Sequence, residues 1–356
     1  MGLSAAEIAQ WNRDGYVICR GALQPEDLAP MVSDYEQIVD ELAERLYAEG
    51  RISQTYEDEP FDSRYARICE DDPTVSPDHL DNYLDIGHAT ARGQSRGTFE
   101  LMKCPRLMAL IAPILGTEEI GWSPISHVRA KLPATAEALQ TGEGLSNVAA
   151  FHQDAIFVTE DADEVFILTV WLPITEATVE MGCLELMPSV HTHRKVYWAS
   201  GSGSMGDSLP RLPTYHEPVS PGDVVLLHKL CPHGSGPNLS SKVRWSMDMR
   251  YMRAGLPSGR DCWPAFVAQS KQNPESETSY GDWSKQWQDA LVAYPQRAGR
   301  SEGFNYRGAV PYIGPMGLVD PSLALPRSKC TAVRAAAQQR GPAASSLDQS
   351  ASRAKF

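Results

Sequence analysis

With 356 residues, of which 42% are apolar and 22% charged, the chain has the balance of a globular protein able to bury a sizeable core. Its formal charge of −13 argues against nucleic acid or an anionic membrane as the main partner, and no apolar run is long enough to span a bilayer. The seven cysteines are scattered without a C-x-x-C pair, which fits reduced thiols in the cytoplasm and disfavours a disulfide framework or a cysteine-rich zinc site.

In chain order, "LSAAEIAQWNRDG" reads as a helix capped by Ser4, with Ile8 and Trp11 on one face, feeding the β-branched run "YVIC". This start is too polar for a secretory peptide, and Gly2 fits a myristoylation signal only loosely. Residues 25–50 place Leu28, Met31, Tyr35, Ile38, Leu42 and Leu46 at helical spacing, with Gly50 as the stop. A further helix is predicted within residues 104–116. From about residue 120, short apolar runs such as "ISHVRAKL", "EVFILTVWLPI", "GCLELMPS" and "GDVVLLHKL" are separated by Gly, Pro and Asp, and "VRWSMDMRYMR" alternates with period two. Helices first and spaced strands after predict a mainly β fold with flanking helices, a double-stranded β-helix of the jelly-roll, cupin-like kind. The expected division is one domain over residues 1–330, with a helical part to about 118, a jelly-roll core over about 119–255 and an extension over about 256–330. Residues 331–356 are small and polar and are expected to form a mobile tail.

Two stretches carry chemistry. In "FHQD", His152 and Asp154 stand two apart, so on a strand both would point to one face. In "LLHKLCPHGSGPN", His228 and His233 are candidates for a third ligand, and His233 sits at a strand end before a Gly-Ser-Gly turn. Two imidazoles and one carboxylate with open positions form the facial set used by non-haem Fe(II) oxygenases. Ser235 and Arg244 follow at two and eleven residues, and a planar guanidinium beside a hydroxyl suits the far carboxylate of a dicarboxylic cosubstrate.

These motifs resemble the phytanoyl-CoA dioxygenase family of Fe(II)- and 2-oxoglutarate-dependent oxygenases. The resemblance runs from "AQWNRDGYVICRGAL" through "FHQDA", "MGCLELMPSVHTH" and "GDVVLLHKLCPHGSGPN" to "VRWSMDMRY". It implies that His152, Asp154 and His233 hold Fe(II), that Arg244 and Ser235 hold the far carboxylate of 2-oxoglutarate, and that Lys131 and Trp171 line the cosubstrate site. It further implies O2 as co-reactant and hydroxylation, desaturation or ring closure at an unactivated C–H bond, with release of succinate and CO2. The carboxylate of Asp154 disfavours halogenation, for which related enzymes carry a small residue there.

The sequence departs from the family at Met181, where Asn is usual, and in "PSVH", where the glycine of "PGSH" is missing. Both changes are expected to bear on substrate fit. By strand alternation His228 should point away from His233, and the "HTH" pair His191 and His193 reads as solvated or substrate-facing. Residues 82–102 and the loop before "FHQD" are expected to cover the site, where Arg92 and Arg96 either meet an anionic substrate group or, the commoner case, stand as solvated loop charges. The acidic chain shows no basic cluster for the phosphates of an acyl-CoA, so a small organic substrate is expected. The alternatives are a non-catalytic metal- or ligand-binding jelly-roll module and a protein side-chain hydroxylase.

Overall fold

Ser4 caps the first helix, α1 (Ala5–Asp14), in a reciprocal capping box with Glu7, and Gly15 ends it in a left-handed turn at φ 77°. The chain passes directly into strand β1 (Tyr16–Cys19). Helix α2 (Pro25–Ala48) buries all six apolar residues that the helical spacing selected. Helices α3 (Phe61–Asp71), α4 (Arg96–Met102) and α5 (Pro105–Leu115) complete the N-terminal layer. Gly97 lets α4 lie against α2, because a Cβ there would overlap the backbone of Pro30 and Met31. The computed structural model describes residues 2–75, 95–143, 145, 148–197, 209–260, 263–293, 310–311 and 315–323, all within one unit spanning Met1–Leu325. Most of the expected cover segment, including Arg92, and the expected tail lie outside the described residues.

The strands follow as β2 (Glu119–Lys131), β3 (Ala149–His152), β4 (Leu168–Pro173), β5 (Leu184–Leu186), β6 (Lys195–Val196) and β7 (Tyr215–Glu217). After them come β8 (Val224–His228), β9 (His233–Ser235), β10 (Arg244–Arg253), β11 (Phe266–Ser270) and β12 (Val310–Pro311). A short helix α6 (Ala136–Thr141) precedes β3, and α7 (Tyr280–Ala293) follows β11. One sheet has six strands in the order β1-β8-β4-β10-β2-β11, and a second has four in the order β3-β9-β5-β7. Every pairing within the two is antiparallel. This is the jelly-roll, cupin-like architecture read from the sequence.

Alternation along the strands sorts side chains between two interiors. On β10, Trp245, Met247, Met249 and Tyr251 join the large core shared with the helices, together with Leu168, Val170 and Leu172 of β4. Trp245 stacks against Phe61 at 4.9 Å and Tyr35 at 6.3 Å, tying the sheet to α2 and α3. A smaller cluster between the sheets joins Trp171 and Val225 from the large sheet to Leu184 and Leu186 from the small one. The polar residues of β10 face that inter-sheet side.

Arg96, on α4, pairs with Glu100 one turn on at 2.8 Å and is exposed, as a helix surface charge. Cys19, Cys69, Cys104, Cys183 and Cys231 are free thiols. Among the described residues no helix is long and apolar enough to cross a membrane. Replacing the fully buried Trp245 with Ala leaves a cavity between sheet and helices. Urea unfolding should show a loss of about 3–5 kcal/mol, against less than about 0.5 kcal/mol for Val292→Ala on the exposed face of α7.

Candidate metal centre

Strand register assembles the centre. His152 ends β3 directly opposite His233 at the start of β9, and the two imidazole centroids are 4.3 Å apart. Asp154 is not on the strand with His152, as the sequence reading had it. The strand stops at His152, and Asp154 opens a 3₁₀ turn, Asp154–Phe157, that swings its carboxylate beneath both rings. Asp154 Oδ1 lies 3.6 Å from His152 Nε2 and 3.7 Å from His233 Nε2. The three ligand atoms lie within 4.8 Å of one another, separations that one ion bonded to each at about 2 Å can bridge.

The surroundings fix the state of each ligand. His152 Nδ1 donates to the Ala150 carbonyl at 2.8 Å and His233 Nδ1 to the Cys231 carbonyl at 3.0 Å, so each Nε2 offers its lone pair to the centre. Burial, then the neighbouring His152, pushes the His233 imidazole down to about 4, leaving it neutral near pH 7 as metal binding requires. Burial alone would raise the Asp154 carboxyl, but Arg250, His233 and His152 outweigh it and hold the acid well below its usual range. Arg250 Nη2 donates to Asp154 Oδ1 at 3.0 Å, and the Thr169 hydroxyl donates to Oδ2. Between the ligands, the fully buried Gln153 donates to the Leu230 carbonyl at 2.7 Å and the Lys195 carbonyl at 3.1 Å, and accepts from Tyr197 N at 2.7 Å.

A second polar pocket adjoins the first. Arg244 of β10 stands opposite Lys131 of β2 in the large sheet. Lys131 Nζ donates to Ser235 Oγ at 2.8 Å and the Gly236 carbonyl at 2.6 Å, while Arg244 Nη1 donates to the Gly182 carbonyl at 2.6 Å. Trp171 covers the guanidinium, 5.5 Å from its ring. Lys131 is 0% and Arg244 2% exposed, and neither meets a carboxylate among the described residues. Arg244 Nε is buried without an acceptor. Two buried cations facing only neutral acceptors are costly unless an anion joins them. Burial, then the charge of Arg244, pushes Lys131 down to about 6, and burial pushes Arg244 down to about 10. Ser235 and His233 share one face of β9 about 7 Å apart along the strand, so the cation pocket and metal centre fit the two ends of one short dicarboxylate.

Of the seven site residues named from the sequence, His152, Asp154 and His233 come together in the first group and Lys131, Trp171, Ser235 and Arg244 in the second. His228 turns away as expected, 5.1 Å from Phe166 and 6.0 Å from Trp11 in the helix-side core. His193 is exposed and bonded to Tyr197 Oη at 2.7 Å. His191 is a correction. It is 1% exposed, packed under the end of α1 where Gly15 leaves room for its ring, and so is neither solvated nor substrate-facing. Ser189, where the family has glycine, adopts a left-handed φ of 68° and is held by hydrogen bonds to Asp14 O and Arg13 O at 2.8 and 3.0 Å. That departure therefore concerns the seat of α1 and not substrate fit.

Sequence reasoning missed Thr169, Asp248 and Arg250. Asp248 accepts from Arg250, from His127 Nδ1 at 2.9 Å and from Arg129 Nε at 3.3 Å. The available signal was the polar ladder Arg244, Ser246, Asp248, Arg250 at period two in an otherwise apolar strand. Thr169→Val keeps volume but frees Asp154 to rotate. Competition against a chromophoric chelator should show divalent-metal affinity about 10- to 100-fold weaker with the circular dichroism spectrum unchanged.

The family model described as phytanoyl-CoA dioxygenase (PhyH) matches residues 11–246. A probable phytanoyl-CoA dioxygenase of Caenorhabditis elegans is 25% identical over 225 residues, covering 56% of this chain and 69% of that protein. Phytanoyl-CoA dioxygenase domain-containing protein 1 of Rattus norvegicus is 24% identical over 280 residues, covering 71% and 91%. Among solved structures, apo ThoJ, a non-heme monooxygenase, superposes with a TM-score of 0.53 at 14% identity over 83% of this chain and 98% of that one, a likeness of fold.

Proposed function

The chain belongs to the phytanoyl-CoA dioxygenase family, and we propose that it is an Fe(II)- and 2-oxoglutarate-dependent oxygenase acting on a C–H bond of a small organic substrate. One observation carries this reading: a His-Asp-His centre with both Nδ1 atoms committed to backbone carbonyls adjoins the buried Arg244 guanidinium and Lys131 amine, which meet no carboxylate among the described residues. Two neutral imidazoles and a carboxylate suit Fe(II) and leave positions for cosubstrate and oxygen. The cations suit the far carboxylate of 2-oxoglutarate. When bound, this pair supplies an oxidation driven by conversion of 2-oxoglutarate to succinate and CO2.

The protein's own residues then orient and insulate. Thr169 and Arg250 hold the Asp154 carboxylate, Arg244, Lys131 and Ser235 fix the cosubstrate's far end, and Trp171 keeps water from the guanidinium. Asp154 fills the position that halogenation would need vacant, which supports hydroxylation, desaturation or ring closure. The free thiols fit a reducing compartment such as the cytoplasm. A bare binding module has no need of a buried anion pocket, which favours the enzyme reading over it.

Aerobic incubation with Fe(II) and 2-oxoglutarate should release succinate, His233→Ala should abolish this, and Arg244→Met should raise KM for 2-oxoglutarate at least about tenfold. Wild-type protein that binds iron but never forms succinate would overturn the reading, and acceleration by peptides alone would move it to a protein hydroxylase. Lys131 adds a pH signature. Its amine is neutral above about pH 6 in the free protein and must gain a proton beside a bound dicarboxylate. Affinity for 2-oxoglutarate should therefore fall as pH rises above 6. Calorimetry under nitrogen at pH 8, in buffers of different ionisation heat, should read proton uptake that Lys131→Met removes.

A further inference from the structure

Gln153 stands between the ligands His152 and Asp154, is 0% exposed, and commits both N–H bonds and the oxygen of its amide to the backbone. One of its partners lies in the turn that delivers His233. Residues 229–232 join β8 to β9, and the H-x-D segment is laced to them twice. Ala155 N donates to the Lys229 carbonyl at 3.0 Å, and Gln153 Nε2 donates to the Leu230 carbonyl at 2.7 Å. The peptide between Leu230 and Cys231 is gripped on both sides, because Cys231 N donates to the His228 carbonyl at 2.8 Å. A planar peptide held at both its polar groups restricts the next carbonyl along the chain. That carbonyl, of Cys231, is the one that accepts from His233 Nδ1 at 3.0 Å. Leu230 is fully buried, so losing the Gln153 amide would strand its carbonyl and let the turn rotate.

The other two partners bracket β6. Gln153 Nε2 donates to the Lys195 carbonyl at 3.1 Å and Oε1 accepts from Tyr197 N at 2.7 Å, as the backbone of a neighbouring strand would. β6 also pairs with β12, Val196 opposite Val310 and Lys195 opposite Pro311, in a ribbon two residues long. A ribbon so short is marginal alone. Gln153 seats it on the metal motif.

Resting on the metal centre of the oxygenase reading above, we propose that Gln153 is a positioning residue that sets the ring of His233 through the Leu230 turn and couples β6 to occupancy of the centre. It has no part in the reaction steps. The coupling is reciprocal, since ion and strand act on one short segment. An ion that fixes His152 and Asp154 also fixes the residue between them, and with it the bond to Tyr197 N.

The test loads Co(II) into the wild type under nitrogen and reads the imidazole Nδ1–H protons by NMR, where a bound paramagnetic ion shifts them clear of the other signals. The wild type should show two, from His152 and His233, each held by a backbone carbonyl. Gln153→Met keeps volume and removes all three bonds. It should displace one signal, leave the other in place and weaken Co(II) affinity about tenfold or more. Tyr35→Phe deletes a buried hydrogen bond to Thr98 Oγ1 in the helical layer, and should lower the melting temperature with both signals and the affinity unchanged. In the wild type itself, Co(II) should slow deuterium exchange at Tyr197 N about tenfold or more, and this reading decides the matter if Gln153→Met does not fold. Both signals unmoved in Gln153→Met, equal displacement of both, or exchange at Tyr197 indifferent to Co(II) would each overturn the proposal. Two clear signals in the wild type with no effect of Gln153→Met would leave the metal centre standing and remove only the role of Gln153. A folded wild type with no shifted imidazole protons would overturn the centre and the role together.

Discussion

Everything at the centre depends on keeping one buried carboxylate charged. Asp154 is almost wholly removed from water, and it stays anionic because Arg250 bonds it from one side while two imidazoles approach from the other. Arg250 is itself tolerable there only because it is shared with Asp248. Removing one partner of a buried pair typically costs about 3–5 kcal/mol, because the other is left uncompensated. The metal centre, the β10 ladder and the β2 face are therefore one electrostatic unit.

The fold makes that unit possible by using each central strand twice. β10 sends Trp245, Met247, Met249 and Tyr251 to the helices and Arg244, Ser246, Asp248 and Arg250 to the inter-sheet space. The aromatic wall of Tyr35, Phe61 and Tyr65 against Trp245 keeps the sheet seated on its helical layer. The stability of the outer core is thus what holds the inner polar face in register. A slip of one residue would exchange the two faces and bury Trp245 and Met247 where Arg244 and Ser246 now stand.

Much of this was legible in the sequence, for definite physical reasons. Helix α2 announces itself by spacing and by Gly50, and β10 by its alternation. The candidate metal ligands and the residues proposed for the cosubstrate came through the motif pattern, since H-x-D and the Ser and Arg after His233 have fixed offsets. The 3₁₀ turn at Asp154 was hidden because the one residue between His152 and Asp154 fits a strand and a turn equally. Helix α7 was missed because its buried Trp283 and Trp287 stand among Gly, Ser, Asp and Gln that read as loop. The role of His191 depends on Gly15, some 176 residues away, and no local pattern encodes such a contact. Asp248 and Arg250 were visible as polar residues at period two, but their partners His127 and Asp154 lie on other elements.

The most direct test of the centre is the visible absorption spectrum of metal-free protein given Fe(II) and then 2-oxoglutarate in the absence of oxygen. Chelation of the iron by the 2-oxo acid should give a weak charge-transfer band, diminished in Arg244→Ala and absent in His233→Ala. Folded wild-type protein that shows no band would mean that His152, Asp154 and His233 do not hold an iron open to the cosubstrate.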